Sequence, residues 1–357
     1  MKAAVLNALG SPLSIDSLPE PAAAAGEVVV DMAATAVLSY AGEVFSGQRK
    51  YVLELPLAPG SGGIGRVRAI GPDATRLAVG DWVYCDPTVR SRDDALAPDI
   101  ALQGLTAAGE GGLRLQRHFR HGSFAEQMRI PAENATPIGA IEPADAPRWC
   151  ALGRLLVPYG GFVAGGLRAG EIVLVSGATG AFGSAGVAVA LAMGAGCVVM
   201  TGRNAEVLGQ LADRFGPRVR PVRVSGDEAQ DRARMQAAAS GPIDVVLDLL
   251  PPMASAAQAR AAAMAVRPHG RVVLMGGVSD DLHLPYSWMM RNGITIQGQW
   301  MYDREAPTRL AAMVRAGLVD LQAFDIVSFG LEAANEAVRH AAENAGPFKM
   351  TVIRPNR

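Results

Sequence analysis

Three glycines, Gly177, Gly180 and Gly183, stand at G-x-x-G-x-x-G spacing within Glu171 to Asn204, EIVLVSGATGAFGSAGVAVALAMGAGCVVMTGRN. Glycine at such points lets a chain turn without Cβ clashes and lets its backbone approach a ligand closely. Before the turn lies the apolar run Ile172 to Val175, bounded by Gly170 and Ser176, and after it an alanine- and valine-rich run of helical character. Unpaired N–H groups and the positive dipole end at such a helix start make a pyrophosphate site. Strand, turn, helix and a second strand at Cys197 to Thr201 together read as a dinucleotide-binding unit. The candidate ligand-contacting residues of its turn are Gly177, Thr179, Gly180, Ala181, Phe182 and Gly183.

The end of the second strand bears on which dinucleotide. A site for NAD usually ends this strand with Asp or Glu, which accepts from the ribose 2′-OH. This chain reads Thr201, Gly202, Arg203, Asn204. No carboxylate stands there to repel a 2′-phosphate, and the planar fork of Arg203 can pair with one. NADPH is therefore favoured over NADH; the alternative is that Arg203 stacks on adenine or faces water.

The elements that must position these residues follow from the alternation beyond the turn. Asn204 to Phe215, Glu228 to Ala239 and Ala254 to Val266 read as helices, and Val219 to Val224, Asp244 to Leu249 and Arg271 to Met275 as strands. Helices between buried strands mean a doubly wound parallel sheet of the α/β class, whose ligands sit at the carboxyl ends of its strands. Leu249, Met275, Gly276 and Gly277 join the cofactor candidates on that account. Gly293 to Trp300 adds a strand, Pro307 to Ala316 and Leu331 to Asn344 read as helices, and Lys349 to Ile353 as a last strand that rejoins the first half of the chain.

That first half, Met1 to about Ala140, reads as a small β domain of short strands punctuated by glycine and proline, with Glu27 to Ala34, Gly65 to Ile70 and Trp82 to Cys85 the clearest. Asp86 to Gly122 is a long polar excursion expected to pack as a lobe. The division expected is 1–140 with 291–357 as one domain and 141–290 as the nucleotide domain. With 357 residues there is length for both cores, and a net charge of −1 indicates no polyanion-binding surface, so nucleic acid is not expected as a partner. Three scattered cysteines, Cys85, Cys150 and Cys197, support neither a disulfide framework nor a cysteine zinc cluster and suit a reducing cytoplasm. No run approaches the roughly 20 apolar residues of a membrane span. His118 and His121, with Arg114, Arg117 and Arg120 nearby, read as a solvated loop face in preference to a metal pair. Asp248 is expected to cap the turn after its strand, and Met289, Met290, Trp300 and Met301 to be core or pocket wall.

Taken together, MKAAVL, PGSGGIGRVRAIGPDATRLAVGDWV (Pro59 to Val83), GSFAEQM, the glycine turn, Asp244 to Asp248, GRVVLMGG (Gly270 to Gly277) and GPFKMTVI resemble the medium-chain dehydrogenase/reductases, particularly their zinc-independent, quinone-reductase-like branch. The resemblance spans essentially the whole chain. It implies a GroES-like β-barrel domain, made from both chain ends, around a Rossmann domain, with the active-site cleft between them. It also implies a homodimer through the strand matching Gly293 to Trp300. Zinc-dependent members use a Cys, a His-Glu pair and a later Cys or Asp. Here those stretches read Val37-Leu38-Ser39-Tyr40, Ser61-Gly62 and Leu156-Val157-Pro158-Tyr159, and the lobe has no cysteine, so neither catalytic nor structural zinc is expected.

Losing zinc constrains the reaction, because hydride addition to a simple ketone builds an alkoxide that a Lewis acid would stabilise. Addition to an enone or quinone spreads the charge as an enolate, which hydrogen-bond donors can hold and a weak acid can protonate. By position in the resemblance, Tyr40 is the candidate acid or oxyanion donor, with Ser39 and Tyr159 as auxiliaries. The activity implied is NADPH-dependent reduction of a quinone or activated double bond in a small hydrophobic acceptor, with pocket shape set by Phe45, the lobe and Trp288 to Met301. The alternatives are a zinc-free alcohol dehydrogenase or carbonyl reductase, and a non-catalytic NADPH-binding protein.

Overall fold

The computed structural model describes residues 1–356. Its second half is organised around a six-stranded parallel sheet in the spatial order Val219–Arg223, Cys197–Gly202, Ile172–Ser176, Val245–Asp248, Arg271–Leu274, Thr295–Gly298. In chain order this is 3-2-1-4-5-6, so the winding direction reverses between Ile172–Ser176 and Val245–Asp248 and leaves a crevice at their carboxyl ends. The apolar runs read as strands because both faces of the sheet are covered. Val173, Val175, Val245 and Leu247 pack on one side with helices Leu152–Ala164, Ala181–Ala192 and Ala205–Phe215. On the other side Leu174, Val199 and Val246 meet helices Glu228–Ala238 and Ala256–Ala263. Alternation into two apolar faces is the physical reason these strands carry almost no polar residue.

The first half is a β-barrel domain whose seven-stranded sheet is centred on Glu27–Val37. This strand pairs antiparallel with Gly63–Ile70, Gln127–Pro131 and Lys349–Arg354. Register shifts at Val29/Val30 and Met32/Ala34 bend it, which is how eleven residues serve three partners. The tail therefore does rejoin the first half, with Val352 opposite Ala36. It brings a strand that the sequence reading lacked, Asp325–Gly330, parallel to Lys349–Arg354 and crossing over through helix Ala334–Glu343. That strand is short and buried on neither face, so its apolar pattern is weak.

One boundary differs from expectation. Thr295–Gly298 pairs parallel with Arg271–Leu274, so the nucleotide domain runs past 290 to at least Gly298. The chain enters the nucleotide domain through a 3-10 turn at Pro143–Asp145, a single helical turn at Ala146–Trp149, and then Leu152–Ala164. The excursion after Cys85 is a lobe, a three-stranded sheet (Thr88–Arg90, Ile100–Leu102, Thr106–Ala107) with helix Gly109–His118. It is tied to the linker beyond the sixth sheet strand by a hydrogen bond of 2.8 Å from the buried Tyr302 hydroxyl to Asp86 Oδ1. Among the described residues no helix is long and apolar enough to cross a membrane.

Candidate active site

A cavity of about 550 Å³ opens between the two halves at the crevice. Its floor is the glycine turn. Gly177 has φ +83, a left-handed backbone that favours glycine, and Gly180 is the N-cap of helix Ala181–Ala192. A Cβ on Gly180 would meet only the Gly177 carbonyl oxygen, at 3.4 Å, so this position is open toward the cavity. At Gly183 a Cβ would stand 2.0 Å from the same oxygen, so the third glycine is required for helix to pack on turn. The helix N-terminus thus points its free N–H groups into a cradle without side chains, an arrangement that fits a pyrophosphate.

Every sequence-derived cofactor candidate but one lines this cavity: Gly177, Thr179, Gly180, Ala181, Phe182 and Gly183 from the turn, Thr201, Gly202 and Arg203 from the second strand, Leu249 from the fourth, and Met275, Gly276 and Gly277 from the fifth. Gly202 is glycine because a Cβ there would lie 2.4 Å from the Thr179 side chain. The exception is Asn204, whose Oδ1 accepts from the amides of Glu206 and Val207 at 3.0 and 3.2 Å. It caps helix Ala205–Phe215 and its side chain is committed there. Arg203 is exposed beside the cavity, and neither Asp nor Glu is among the cavity residues.

The barrel half supplies Ser39, Tyr40, Arg49 and Tyr51, and the lobe supplies Leu102. Tyr40 begins the short helix Ala41–Phe45, where its carbonyl accepts from the Val44 amide at 3.2 Å. Burial, helped by Tyr51, holds its phenol above the usual pKa, with Arg49 and Arg154 pulling the other way. The hydroxyl is therefore protonated at neutral pH, as a donor must be. Ser39 and Tyr40 are brought to one wall; Tyr159 is not. It is buried in helix Leu152–Ala164 and is absent from the cavity wall, with Arg309 and Asp303 as its charged neighbours. Val157, two residues earlier and about 200° around the helix from it, faces the cavity in its place. Phe45 also misses the cavity, since it is buried against Phe124 with ring centroids 6.5 Å apart.

Sequence reasoning missed Arg49, Tyr51, Ser176, Leu250, Pro251 and Pro252. The proline pair follows a sheet strand at its carboxyl end, which the crevice rule could have flagged. Arg49 and Tyr51 carried no such signal, because they reach the cavity through an irregular loop.

Other polar candidates have structural partners. His118 lies on a solvated face with Arg114 and Arg117, its Nε2 2.6 Å from the Oε1 of buried Glu27, a carboxylate that the chain order hid, whereas His121 is half-buried and its Nδ1 accepts from the Ala58 amide at 3.1 Å. Asp244 pairs with Arg267 at 2.6 Å. Asp248 is buried at the crevice end of its strand, its Oδ1 has no partner, and burial pushes its pKa up to about 6.

The family profile described as alcohol dehydrogenase GroES-like domain matches residues 24–140, and the one described as zinc-binding dehydrogenase matches 181–316. The chain belongs to the medium-chain dehydrogenase/reductase superfamily. It is 26% identical over 311 residues to an alcohol dehydrogenase of Geobacillus stearothermophilus, covering 84% of each chain. Two solved structures share its fold. One is an Escherichia coli CFT073 alcohol dehydrogenase complexed with NADH, with a TM-score of 0.79, 18% identity and 99% of both chains covered. The other, from Sinorhizobium meliloti 1021 and bound to NADP, has a TM-score of 0.76, 17% identity and 99% of both chains covered. The superfamily's nicotinamide cofactor suits the cradle just described, and its neighbours include both phosphorylation states of that cofactor.

The zinc in the second profile's name does not suit the residues present. Gly62, where zinc-dependent members of the superfamily have Glu, has φ +77, and a Cβ there would lie 2.3 Å from the Cys85 carbonyl oxygen. Among the described residues no group of three or more His, Cys, Asp and Glu could hold a metal ion. Cys85 and Cys150 are buried, and burial raises both thiols, Cys150 to about 12, which disfavours the thiolate a metal would need.

Proposed function

We propose that this protein is an NADPH-dependent, zinc-independent reductase of a conjugated acceptor, a quinone or an enone-type double bond. The observation that carries the reading is the makeup of the reacting end, where Ser39 and Tyr40 offer hydroxyls to the cavity and no metal-ligand set accompanies them. Arg203 pairs with the 2′-phosphate, the turn from Gly177 to Gly183 receives the pyrophosphate, and Met275 to Gly277 border the nicotinamide. Bound NADPH supplies the hydride. Tyr40, kept neutral by burial, donates a hydrogen bond to the oxygen on which charge develops and then its proton, with Ser39 beside it. Val157 of helix Leu152–Ala164 and the segment Gln299 to Met301 complete the wall of the cavity.

Conjugated acceptors suit donors of this strength, because the charge that Tyr40 must hold is already delocalised. A second reading, a zinc-free alcohol dehydrogenase or carbonyl reductase, is supported by the alcohol dehydrogenase relatives. The same reading includes a homodimer through Thr295–Gly298, an edge strand that pairs on one side only, near the exposed Met290 and Trp300. Sedimentation velocity on the chain and on Ile296→Pro checks it, dissociation of the variant being the expected outcome.

The test of activity is NADPH oxidation, with EDTA present, across a panel pairing each enone or quinone with a simple ketone or aldehyde of similar size. Turnover confined to the conjugated member supports the first reading. Turnover of simple carbonyls alone selects the second, and tight NADPH binding with silence across the panel rejects catalysis on both.

A further inference from the structure

We propose that the acceptor carries a carboxylate and that Arg49 binds it; this deepens the reductase reading and rests on it for the identity of the reacting group. The loop that carries Arg49 is pinned by two backbone hydrogen bonds, Arg49 N to Glu43 O at 2.9 Å and Tyr51 N to Arg49 O at 2.7 Å. Its guanidinium carbon lies 3.9 Å from the centroid of the Tyr40 ring and 5.7 Å from that of Tyr51, with the two rings edge to face at 81°. Stacking of this kind holds the guanidinium by its face and leaves the donors on its edge free.

One of those donors is shared: Nε forms a salt bridge of 3.4 Å with Oε2 of Glu43, whose side chain is 48% exposed, while the two Nη groups make no hydrogen bond to any described residue. The guanidinium itself is largely covered, with the Arg49 side chain 20% exposed, and it lines the cavity beside Tyr40. A second cation acts on Tyr40. Arg154 is 7% exposed, donates to the Lys349 carbonyl, and has no carboxylate partner among the described residues. Arg49 thus presents a guanidinium to the cavity with the half-exposed Glu43 as its one carboxylate partner, while no Asp or Glu lines the cavity itself.

A neutral hydrophobic acceptor seated here would strip water from the Arg49 fork and return nothing to it. A carboxylate would accept two parallel hydrogen bonds in the geometry that the fork presents. Tyr51, Leu102 and Trp300 meanwhile offer apolar surface for a conjugated body. The substrate class is thus a conjugated acid, an enone or quinone with a carboxylate within reach of the reducible bond.

The experiment uses the full chain with NADPH and two matched acceptors, an aryl enone bearing a carboxylate and its methyl ester. In the wild type the carboxylate is expected to have the higher kcat/KM by about 10–100-fold, the worth of a charge-assisted pair. Arg49→Met should bring that ratio close to one through KM, and Arg49→Lys should restore part of it. Unchanged NADPH affinity in both variants shows that they fold. A ratio near one in the wild type overturns the proposal, as does a ratio that survives Arg49→Met or a loss of kcat shared by acid and ester, which would place the charge of Arg49 on the reacting oxygen. Calorimetric binding of the saturated acid to the NADPH-loaded protein separates the two ideas. Binding that depends on Arg49 without turnover of any enone keeps the carboxylate site and rejects the reductase, whereas turnover of neutral enones without acid binding does the reverse.

Discussion

A Cβ added to Gly183 would stand 2.0 Å from the carbonyl oxygen of Gly177, so the first and third glycines of the turn are in backbone contact across the start of a helix. The middle glycine donates its amide to the same oxygen at 3.1 Å, but a Cβ there would stand 3.4 Å away, in ordinary contact, and the residue faces the cavity. Gly183→Ala should therefore lower stability by about 1–3 kcal/mol, the usual cost of overpacking. Gly180→Ala should leave the melting temperature near that of the wild type and weaken NADPH binding by placing a methyl group in the cradle. Thermal unfolding and NADPH titration of the two variants check the contrast, and equal melting temperatures would contradict the assignment of Gly183 to packing.

Removing the hydroxyl of Tyr40 while keeping its ring leaves the contact with Arg49 in place. Tyr40→Phe should lower kcat by about 10²–10⁴, the range for a general acid, with NADPH affinity unchanged. Because the phenol is held above its ordinary pKa, Tyr40 stays protonated through neutral and mildly alkaline pH. The kcat profile of the wild type should accordingly show no loss of a Tyr40 proton between pH 6 and roughly pH 9. Unchanged turnover of Tyr40→Phe would remove Tyr40 from the chemistry.

Arg203 is exposed beside a cavity without carboxylates, so its contribution should appear in NADPH and be absent from NADH. Arg203→Gln is expected to raise the NADPH Kd by about 10–100-fold, the value of a charge-assisted hydrogen bond to phosphate, with the NADH Kd nearly unchanged. Equal effects on the two cofactors would mean that Arg203 stacks on the adenine they share.

Burial raises the pKa of Asp248 to about 6 from an ordinary 3.8. The folded state thus binds this proton more tightly than the unfolded chain, and stability falls as pH rises from about 4 through 6. Asp248→Asn removes that dependence and should stabilise the apoprotein at pH 7.5 by up to roughly 3 kcal/mol, with little effect at pH 4. Denaturant unfolding at the two pH values measures the difference, and a variant less stable than wild type at pH 7.5 would assign Asp248 a hydrogen-bonding role that outweighs its desolvation.

The nucleotide half was legible in the sequence because its signals are local. A buried strand such as Ile172–Ser176 is a run of apolar residues, a turn that must bring its backbone against a helix needs glycine at Gly177 and Gly183, and each following helix fits between two such runs. The positions at strand ends followed from the winding rule, and all the cofactor candidates except Asn204 reached the cavity. Asn204 was misplaced because a cap and a ligand contact ask for the same residue type, and only the amides of Glu206 and Val207 show which use prevailed. The acceptor end was decided by tertiary structure. Whether a side chain on helix Leu152–Ala164 faces the cavity depends on how the helix is rotated against the sheet, which put Val157 at the wall and buried Tyr159. Arg49 comes from a loop with no periodicity, and its burial and its stacking arise only when Tyr40, Tyr51 and the strand ends of the other domain enclose the same space. Local propensity and apolar period are carried by neighbours in the chain, whereas the environment of a charge is set by residues far apart in it.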